Sequence, residues 1–290
     1  MDKKILICGG DLRQINVANE LSACGYKVDA YGFADASQLA SSIKLHENHN
    51  AALDGTDIIV LPLPYSVDGR NVNMPMCAEK LDTEALLDKL NGNQVVIAGK
   101  ADDRLRNISS ARGIRMADYY EREELTVLNV IPTVEGALQI AMEETAITIH
   151  GSRCLVMGYG RIGKVLAKSL SALGADVTTC ARSHSDLAWI KVNSVKGIPT
   201  AEIKDIIAAQ DIIFNTIPSI VLDEEVLKLI NSDALIIDLA SKPGGVDFEK
   251  ANRLGKRVIW ALSLPGKIAP ITAGRIISDT IINLIDELGV

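Results

Sequence analysis

The chain has 290 residues, of which 48% are hydrophobic and 4% are aromatic, and its formal net charge is −7. At roughly 100–200 residues per domain, this length favours two domains in a soluble globular protein. The acidic balance, with no basic run and no stripe of aromatic and basic residues, argues against a nucleic-acid-binding surface.

The N-terminal sequence and the apolar runs favour a cytoplasmic protein without a membrane partner. The segment Met1-Asp2-Lys3-Lys4 and the short apolar run after it lack the layout of a signal peptide. No apolar run approaches the roughly 18 residues of a membrane span. Five cysteines are scattered along the chain, at Cys8, Cys24, Cys77, Cys154 and Cys180. They lack the paired spacing of a metal site, so we interpret them as free thiols and predict no bound metal.

The first half of the chain predicts a parallel sheet flanked by helices. Its opening reads as a strand, a turn at Gly9-Gly10-Asp11, a helix ending at Gly25 and a second strand over Lys27–Tyr31. The turn lacks the second and third spaced glycines of a dinucleotide fingerprint. Further strands are predicted at 57–61, 94–98 and 113–117, and helices at 83–90 and 102–111. We therefore expect a flavodoxin-like substrate domain over residues 1–145.

The middle of the chain carries the strongest motif. A buried-strand pattern at Arg153–Met157 enters Gly158-Tyr159-Gly160-Arg161-Ile162-Gly163, and apolar residues then recur at helical spacing. In dinucleotide-binding enzymes the first glycine permits the turn, the second lets the backbone approach a pyrophosphate, and the third lets the helix pack on its strand. A chance cluster of glycines is the alternative. The flanking elements and a second strand at Asp176–Ala181 favour a Rossmann NAD(P)-binding domain over residues 146–268.

The residues after that second strand bear on the choice of coenzyme. NAD enzymes usually place an Asp or Glu about 20 residues beyond the glycines to hold the ribose hydroxyls. This chain has Ala181-Arg182-Ser183 there. An arginine and a hydroxyl suit a 2′-phosphate, so the sequence favours NADP, with NAD as the second choice. The alternative is that Arg182 is a solvated loop cation.

Alternating strands and helices continue to the end of the chain, and each strand ends in polar or glycine-rich residues. Segments after these strands are predicted to contact the coenzyme: Asn215-Thr216-Ile217-Pro218, Asp238-Leu239-Ala240 and Leu264-Pro265. The last helix, within residues 269–290, presents Ile277, Ile281 and Leu284 on one face. We expect it to pack back on the N-terminal domain. The fold class is therefore α/β, with two doubly wound parallel-sheet domains.

Two doubly wound domains make the cleft between them the expected active site. The candidates for binding substrate are Arg13, Ser66, Arg70, Thr133, Lys267 and Thr272. Cationic side chains would pair with substrate carboxylates, and hydroxyls would complete the hydrogen bonds. Thr133 and Glu135 fit equally well as first-turn residues of a helix starting at Pro132. No Ser-His-Asp or Cys-His arrangement is visible, so Lys267 or Glu135 is the predicted proton-transfer group.

Several motifs together are specific to one family. They are Gly9-Gly10-Asp11-x-Arg13-Gln14, Leu61-Pro62-Leu63-Pro64, Pro132-Thr133-Val134-Glu135-Gly136, Gly158-Tyr159-Gly160-Arg161-Ile162-Gly163, Ala181-Arg182-Ser183, Asn215-Thr216-Ile217-Pro218, 238–245 and 264–274. Through them the chain resembles the A-chain family of dipicolinate synthase from sporulating Firmicutes, nearly end to end. The glycine fingerprint is shared by many dehydrogenases, whereas the last two segments and the Pro132 motif are more specific.

The resemblance implies an enzyme of the mother cell that works with a flavoprotein-like partner, the B chain of dipicolinate synthase, and a homo-oligomer is possible. Together the two chains would oxidise dihydrodipicolinate, or its hydroxytetrahydro precursor, to pyridine-2,6-dicarboxylate. Two alternatives stay open. One is a two-domain dehydrogenase of the shikimate or methylenetetrahydrofolate type, although the catalytic lysine pairs of those families are not found at a convincing place. The other is a non-catalytic nucleotide-binding subunit.

Overall fold

The computed structural model describes residues 3–290, so Met1 and Asp2 of the N-terminal prediction lie outside the described residues. The chain divides into two compact units. Unit 1 combines the residues through Asn129 with Ala269–Val290, and unit 2 is Val130–Ile268.

Within residues 3–290, twelve strands form two sheets, six strands to each unit. They are β1 (Lys4–Cys8), β2 (Lys27–Tyr31), β3 (Lys44–His46), β4 (Ile58–Val60), β5 (Val95–Ala98), β6 (Arg115–Asp118), β7 (Arg153–Met157), β8 (Asp176–Ala181), β9 (Lys196–Pro199), β10 (Ile212–Asn215), β11 (Leu235–Asp238) and β12 (Arg257–Trp260).

Helices connect these strands, together with short 3-10 turns at Tyr119–Glu121, Thr200–Asp205 and Ile207–Ala209. The α-helices are α1 (Leu12–Ala23), α2 (His49–Leu53), α3 (Thr83–Leu87), α4 (Asp103–Ala111), α5 (Glu123–Leu128), α6 (Val130–Glu144), α7 (Arg161–Ala172), α8 (His184–Val192), α9 (Glu224–Leu229), α10 (Phe248–Arg253), α11 (Leu264–Ile268) and α12 (Pro270–Leu288).

Both sheets have the same topology. The strand orders are β3-β2-β1-β4-β5-β6 in unit 1 and β12-β11-β10-β7-β8-β9 in unit 2, and the paired strands are parallel. Each therefore has the 3-2-1-4-5-6 order of the dinucleotide-binding fold, with its switch point between the first and fourth strands. This corrects the flavodoxin-like expectation for unit 1. The flavodoxin-like order has five strands and lacks a counterpart of the edge strand β3. We did not predict β3 because its three residues include Lys44 and His46 and so form no apolar run.

Each sheet is buried on both faces. In β1, Ile5 and Ile7 belong to one core cluster, while the alternate residues Leu6 and Cys8 belong to another. The strand β7 divides in the same way between two clusters of unit 2. This is the pattern of a parallel sheet covered by helices on both sides. All five cysteines are free, and burial raises the pKa of the Cys154 thiol to about 11.

The first domain boundary lies at Asn129/Val130 and not near residue 145. The helix α6 belongs to unit 2 because Val134, Ala137 and Ala141 pack into the same core cluster as Cys154 and Val156 of β7. The sequence shows that this helix is amphipathic, but not which sheet its apolar face covers. The C-terminal helix α12 belongs to unit 1, where Ile277, Ile281 and Leu284 share a cluster with β1.

One helical stretch among residues 3–290 has the length and hydropathy of a membrane span. It is Glu123–Glu144, with a mean hydropathy of 1.4 in its most apolar window, 39% of which is buried. The stretch comprises α5 and α6, and it includes Pro132 and five glutamates. Length and composition alone are weak grounds for a membrane span, since core helices of soluble proteins have them too.

Candidate coenzyme site of unit 2 and candidate substrate residues

The turn between β7 and α7 has the geometry of a phosphate-binding loop. Gly158 adopts φ +95°, a conformation that other residues rarely take. A Cβ on Gly163 would lie 2.1 Å from the carbonyl oxygen of Gly158, so only glycine allows this approach of helix to strand. A Cβ on Gly160 would meet no atom within 4 Å, which leaves open space above the turn.

The N-terminus of α7 faces that space without a side-chain cap. Gly160 is the N-cap residue, and it supplies no side-chain cap to the first turn. The first backbone N–H groups of a helix have no partner within the helix, and the helix dipole favours an anion there. The turn therefore fits the pyrophosphate of a dinucleotide.

A depression of about 580 Å³ surrounds this turn. Nine of its lining residues are among the predicted coenzyme residues: Gly158, Tyr159, Gly160, Ala181, Arg182, Ser183, Thr216, Ile217 and Pro218. The tenth, Asp186, was not predicted. The hydroxyl of Thr216 donates to the carbonyl of Met157 at 2.8 Å and so ties the end of β10 to the end of β7. The structure thus gathers the ends of three strands around one depression.

Two predicted coenzyme residues have a structural role instead. Asn215 and Asp238 are fully buried, and the amide Nδ2 of Asn215 donates to Asp238 Oδ1 at 2.8 Å. The Asp238 carboxylate also accepts from the backbone N–H groups of Ala240 and Gly245. Because all of these groups are satisfied within the protein, the pair fastens the turns after β10 and β11 and does not reach a ligand.

Other predicted coenzyme residues also lie outside the depression. Leu239, Ala240 and Leu264 are buried in unit 2, and Ile162 is half-buried against its core. Pro265 is half-buried and Arg161 is exposed.

Around Arg182 the structure adds a residue that the sequence analysis missed. Arg182 is exposed and has no ion pair or hydrogen bond within residues 3–290. Ser183 is the N-cap of α8, and its hydroxyl donates to Asp186 Oδ2 at 2.7 Å. The signal for Asp186 was the Ser-x-x-Asp spacing, which is typical of a capping box.

The middle residue of the glycine turn is held from α8. Tyr159 is 4% exposed, and its hydroxyl accepts a hydrogen bond from Asn193 Nδ2 at 3.0 Å. The ammonium of Lys164 lies 5.8 Å from the centre of the Tyr159 ring and 5.9 Å from that of Trp189. These contacts are within cation–π distance and fix the turn against the next helix.

Two of the quoted motifs come together in unit 2. At Gly136 of α6, a Cβ would lie 3.0 Å from Ile268 and 3.2 Å from Leu264 of α11, so the two helices pack closely there. Glu135 precedes that glycine, and Lys267 precedes Ile268. Both side chains are exposed, and neither has a polar partner in the described part of the chain. Thr133 is half-buried one turn before Ala137.

In unit 1 the structure places Arg13 at the switch point of the sheet. Its guanidinium makes a two-pronged pair with Asp11, with Nη2 to Oδ2 at 2.8 Å, and Nη2 also donates to the carbonyl of Leu63 at 2.6 Å. Burial acts to lower the pKa of Arg13, but the hydrogen bonds and charge of Asp11 outweigh it and raise the pKa, so the group stays cationic. A Cβ on Gly274 would lie 2.7 Å from the backbone oxygen of Arg13, so α12 packs closely on the start of α1 there, whereas Thr272 on the same helix is exposed.

Ser66 and Arg70 have partners within their own loop. The Ser66 hydroxyl donates to Asp68, and Arg70 Nε donates at 2.7 Å to Asp82, the N-cap residue of α3. Both candidates are therefore already paired with carboxylates of their own loop. Sequence reasoning missed this because a loop cation that pairs with a helix cap looks the same as one that binds a ligand.

Comparison with known proteins identifies the family. Residues 4–120 match the model of the N-terminal domain of the dipicolinate synthase A chain, and residues 133–243 match the D-isomer specific 2-hydroxyacid dehydrogenase NAD binding domain. The dipicolinate synthase A chain of Bacillus subtilis is 33% identical over 98% of this chain and 96% of its own length. The protein belongs to the dipicolinate synthase A-chain family.

Solved structures of this family have the same fold. The Bacillus subtilis A chain superposes with a TM-score of 0.90 at 33% identity, covering 100% of this chain and 97% of that one. The Bacillus halodurans A chain also has a TM-score of 0.90, at 31% identity, covering 98% and 97% of the two chains. Family membership and the NAD-binding domain thus indicate an oxidoreductase subunit that uses a nicotinamide dinucleotide.

Proposed function

We propose that this chain is the dehydrogenase subunit that forms pyridine-2,6-dicarboxylate with NADP as coenzyme. The observation that carries the proposal is the uncapped N-terminus of α7 above the three-glycine turn, in a member of the dipicolinate synthase A-chain family. The preference for NADP rests on Arg182, an exposed cation on the wall of the depression. Guanidinium groups bind phosphate strongly, and a 2′-phosphate distinguishes NADP from NAD.

The reaction makes few chemical demands on the protein itself. Dihydrodipicolinate loses one hydride and one proton, and its ring becomes aromatic; the hydroxytetrahydro form must also lose water. When bound, the coenzyme supplies the acceptor for the hydride. The protein orients the ring and accepts the proton, for which we propose Lys267 or Glu135, two exposed side chains on the packed helices α11 and α6.

Arg13 is the proposed anchor for one substrate carboxylate. Its Nη1 group has no hydrogen-bond partner among residues 3–290, while Asp11 and Leu63 hold the other nitrogens in place. A held guanidinium binds a carboxylate with less loss of conformational entropy than a free one. Thr272 on α12 and Thr133 on α6 are the proposed hydroxyl donors. Ser66 and Arg70 contribute only where substrate displaces their own carboxylate partners.

The cellular setting is part of the same proposal. We propose a cytoplasmic protein of the mother cell that works with the flavoprotein-like B chain of dipicolinate synthase and that can self-associate into a homo-oligomer.

The test follows NADPH absorbance after the purified protein is mixed with NADP and freshly generated product of dihydrodipicolinate synthase, with and without the B chain. A parallel reaction contains NAD. We expect reduction of NADP that exceeds reduction of NAD and is lost in Arg182→Asp. No reduction in the presence of the B chain would contradict the enzymatic role and favour a nucleotide-binding subunit.

Two variants test the proton-transfer group under the same conditions. Either Lys267→Met or Glu135→Gln should reduce kcat by at least 100-fold while the affinity for NADP stays unchanged. The control is Lys168→Met, which changes an exposed lysine on α7. Full activity in both test variants would exclude both residues.

A further inference from the structure

The wall of the coenzyme depression carries two opposite charges within five residues. Arg182, Ser183 and Asp186 all line it. Ser183 both accepts a hydrogen bond from the Asp186 N–H at 3.0 Å and donates its hydroxyl proton to Asp186 Oδ2 at 2.7 Å. The hydroxyl proton is therefore directed at a carboxylate, and an arriving phosphate would have to draw it away.

These charges act differently on the two coenzymes. A 2′-phosphate is attracted by Arg182 and repelled by Asp186, and it competes with Asp186 for the Ser183 hydroxyl. A 2′-hydroxyl has the opposite preference, because it can donate a hydrogen bond to a carboxylate. Asp186 is half-buried, so water screens its charge less than it screens that of an exposed acid.

We propose that Asp186 is a specificity-determining residue that offsets Arg182, so that the chain binds NADP and NAD with affinities within about tenfold of each other. This inference rests on the coenzyme site of the proposed function, but it is independent of the substrate. The Ser183–Asp186 pair determines how large the difference in affinity between the two coenzymes is. Arg182 determines which coenzyme binds more tightly.

The experiment measures binding of NADP and of NAD to the full chain by isothermal titration calorimetry, without substrate. Adenosine 2′,5′-bisphosphate and AMP serve as second probes, since they differ only in the 2′-phosphate. The variants are Asp186→Asn, Asp186→Ser and Arg182→Gln. Glu225→Gln is the matched control, because it removes one negative charge from the first turn of α9, outside the depression.

We expect both Asp186 variants to raise the ratio of NADP affinity to NAD affinity about tenfold, the effect of one partly screened charge. Arg182→Gln should shift the ratio toward NAD, and Glu225→Gln should leave it unchanged. Asp186→Asn keeps an oxygen to accept the Ser183 hydroxyl, and Asp186→Ser keeps a short polar side chain. If one of these two variants fails to fold, the other still tests the inference.

Two results would overturn the inference. One is a wild-type chain that discriminates between the coenzymes by more than 100-fold. The other is a ratio that changes less than twofold in both Asp186 variants. Binding of both coenzymes without turnover of substrate would refute the proposed reaction and leave this inference standing. Binding of neither coenzyme would refute both.

Discussion

The two units share one topology and differ at its first turn. In each, the aspartate before the fourth strand accepts a hydrogen bond from the first residue of the first strand: Asp57 from the Lys4 N–H and Asp211 from the Arg153 N–H, both at 2.8 Å. In unit 1, however, Asp11 caps α1 with its own carboxylate. In unit 2, Gly160 caps α7 with no side chain.

This comparison shows that topology places a helix N-terminus at the switch point, and that the cap residue decides whether an external anion can use it. In unit 1 the carboxylate of Asp11 fills that place and holds Arg13, which leaves a cation at the sheet edge. In unit 2 the place is open and suits a pyrophosphate. One fold thus provides a cationic edge in one unit and an anion-binding helix in the other.

The largest effect is expected from transferring the cap of unit 1 into unit 2. Gly160→Asp should reduce NADP affinity about 1000-fold, because a carboxylate would then occupy the pyrophosphate position. The fold should persist, since Asp is a preferred N-cap residue and the site has room for its Cβ. Calorimetric titration measures the affinity, and thermal unfolding measures the stability. Gly160→Ala is the uncharged control; unchanged affinity in Gly160→Asp would refute the comparison.

The reverse change removes the cap of unit 1. Asp11→Ala should lower the free energy of unfolding by about 1–2 kcal/mol, since α1 loses its N-cap and Arg13 loses its carboxylate partner. Urea denaturation followed by circular dichroism measures this. Asp103→Ala removes an exposed first-turn acid of α4 and should cost less than about 0.5 kcal/mol. Equal costs for the two variants would show that Asp11 has no special role.

A smaller effect is expected where α8 holds the glycine turn. Tyr159→Phe and Asn193→Ala each remove the hydrogen bond between these residues, so each should weaken NADP binding about fivefold. Because the two changes remove the same bond, the double variant should bind no more weakly than the weaker-binding single variant. Additive losses would mean that the two residues act on the coenzyme separately.

The smallest expected effect is a pH dependence of the stability that Asp211 contributes. Asp211 is the residue of unit 2 that is equivalent to Asp57 of unit 1. The hydrogen bond from Arg153 holds the pKa of Asp211 below its ordinary value of 3.8, despite the opposing effect of partial burial. The folded protein therefore favours the ionised form. Its stabilisation is complete above the ordinary pKa and is lost as the pH falls through the lowered one. Asp211→Asn should cost about 1 kcal/mol at pH 7 and less at pH 3, as urea denaturation at the two pH values would show; an equal cost at both would contradict this.

Those elements that depend on local chemistry were predictable from the sequence. The strand, glycine turn and helix around Gly158 follow from apolar periodicity and from the need for residues without Cβ, and the structure confirms them. The edge strand β3 was missed because Lys44 and His46 give no apolar signal. The boundary near residue 145 was wrong because an amphipathic helix does not reveal which sheet its apolar face covers.

The sequence also did not show which hydrogen-bond partner each polar side chain has. Asn215 and Asp238 stand at strand ends, where ligand-binding residues are expected, but each is satisfied by the other and by backbone groups. Arg70 likewise pairs with a helix cap from 12 residues further along the chain. Sequence position shows that a polar group is near a sheet edge, whereas only the folded chain shows which group satisfies it. Asp186 is different, because its Ser-x-x-Asp spacing with Ser183 was a signal in the sequence that the analysis missed.

The helix α12 also has a consequence for how the chain folds during synthesis. Its residues Ile277, Ile281 and Leu284 complete the core that begins at β1, although 139 residues of unit 2 lie between the two parts of unit 1. Unit 2 is contiguous and can fold on the ribosome as soon as its last strand emerges. Unit 1 is synthesised first but is finished last, so the apolar surface that α12 covers, chiefly on α1, stays open to chaperones until α12 leaves the exit tunnel.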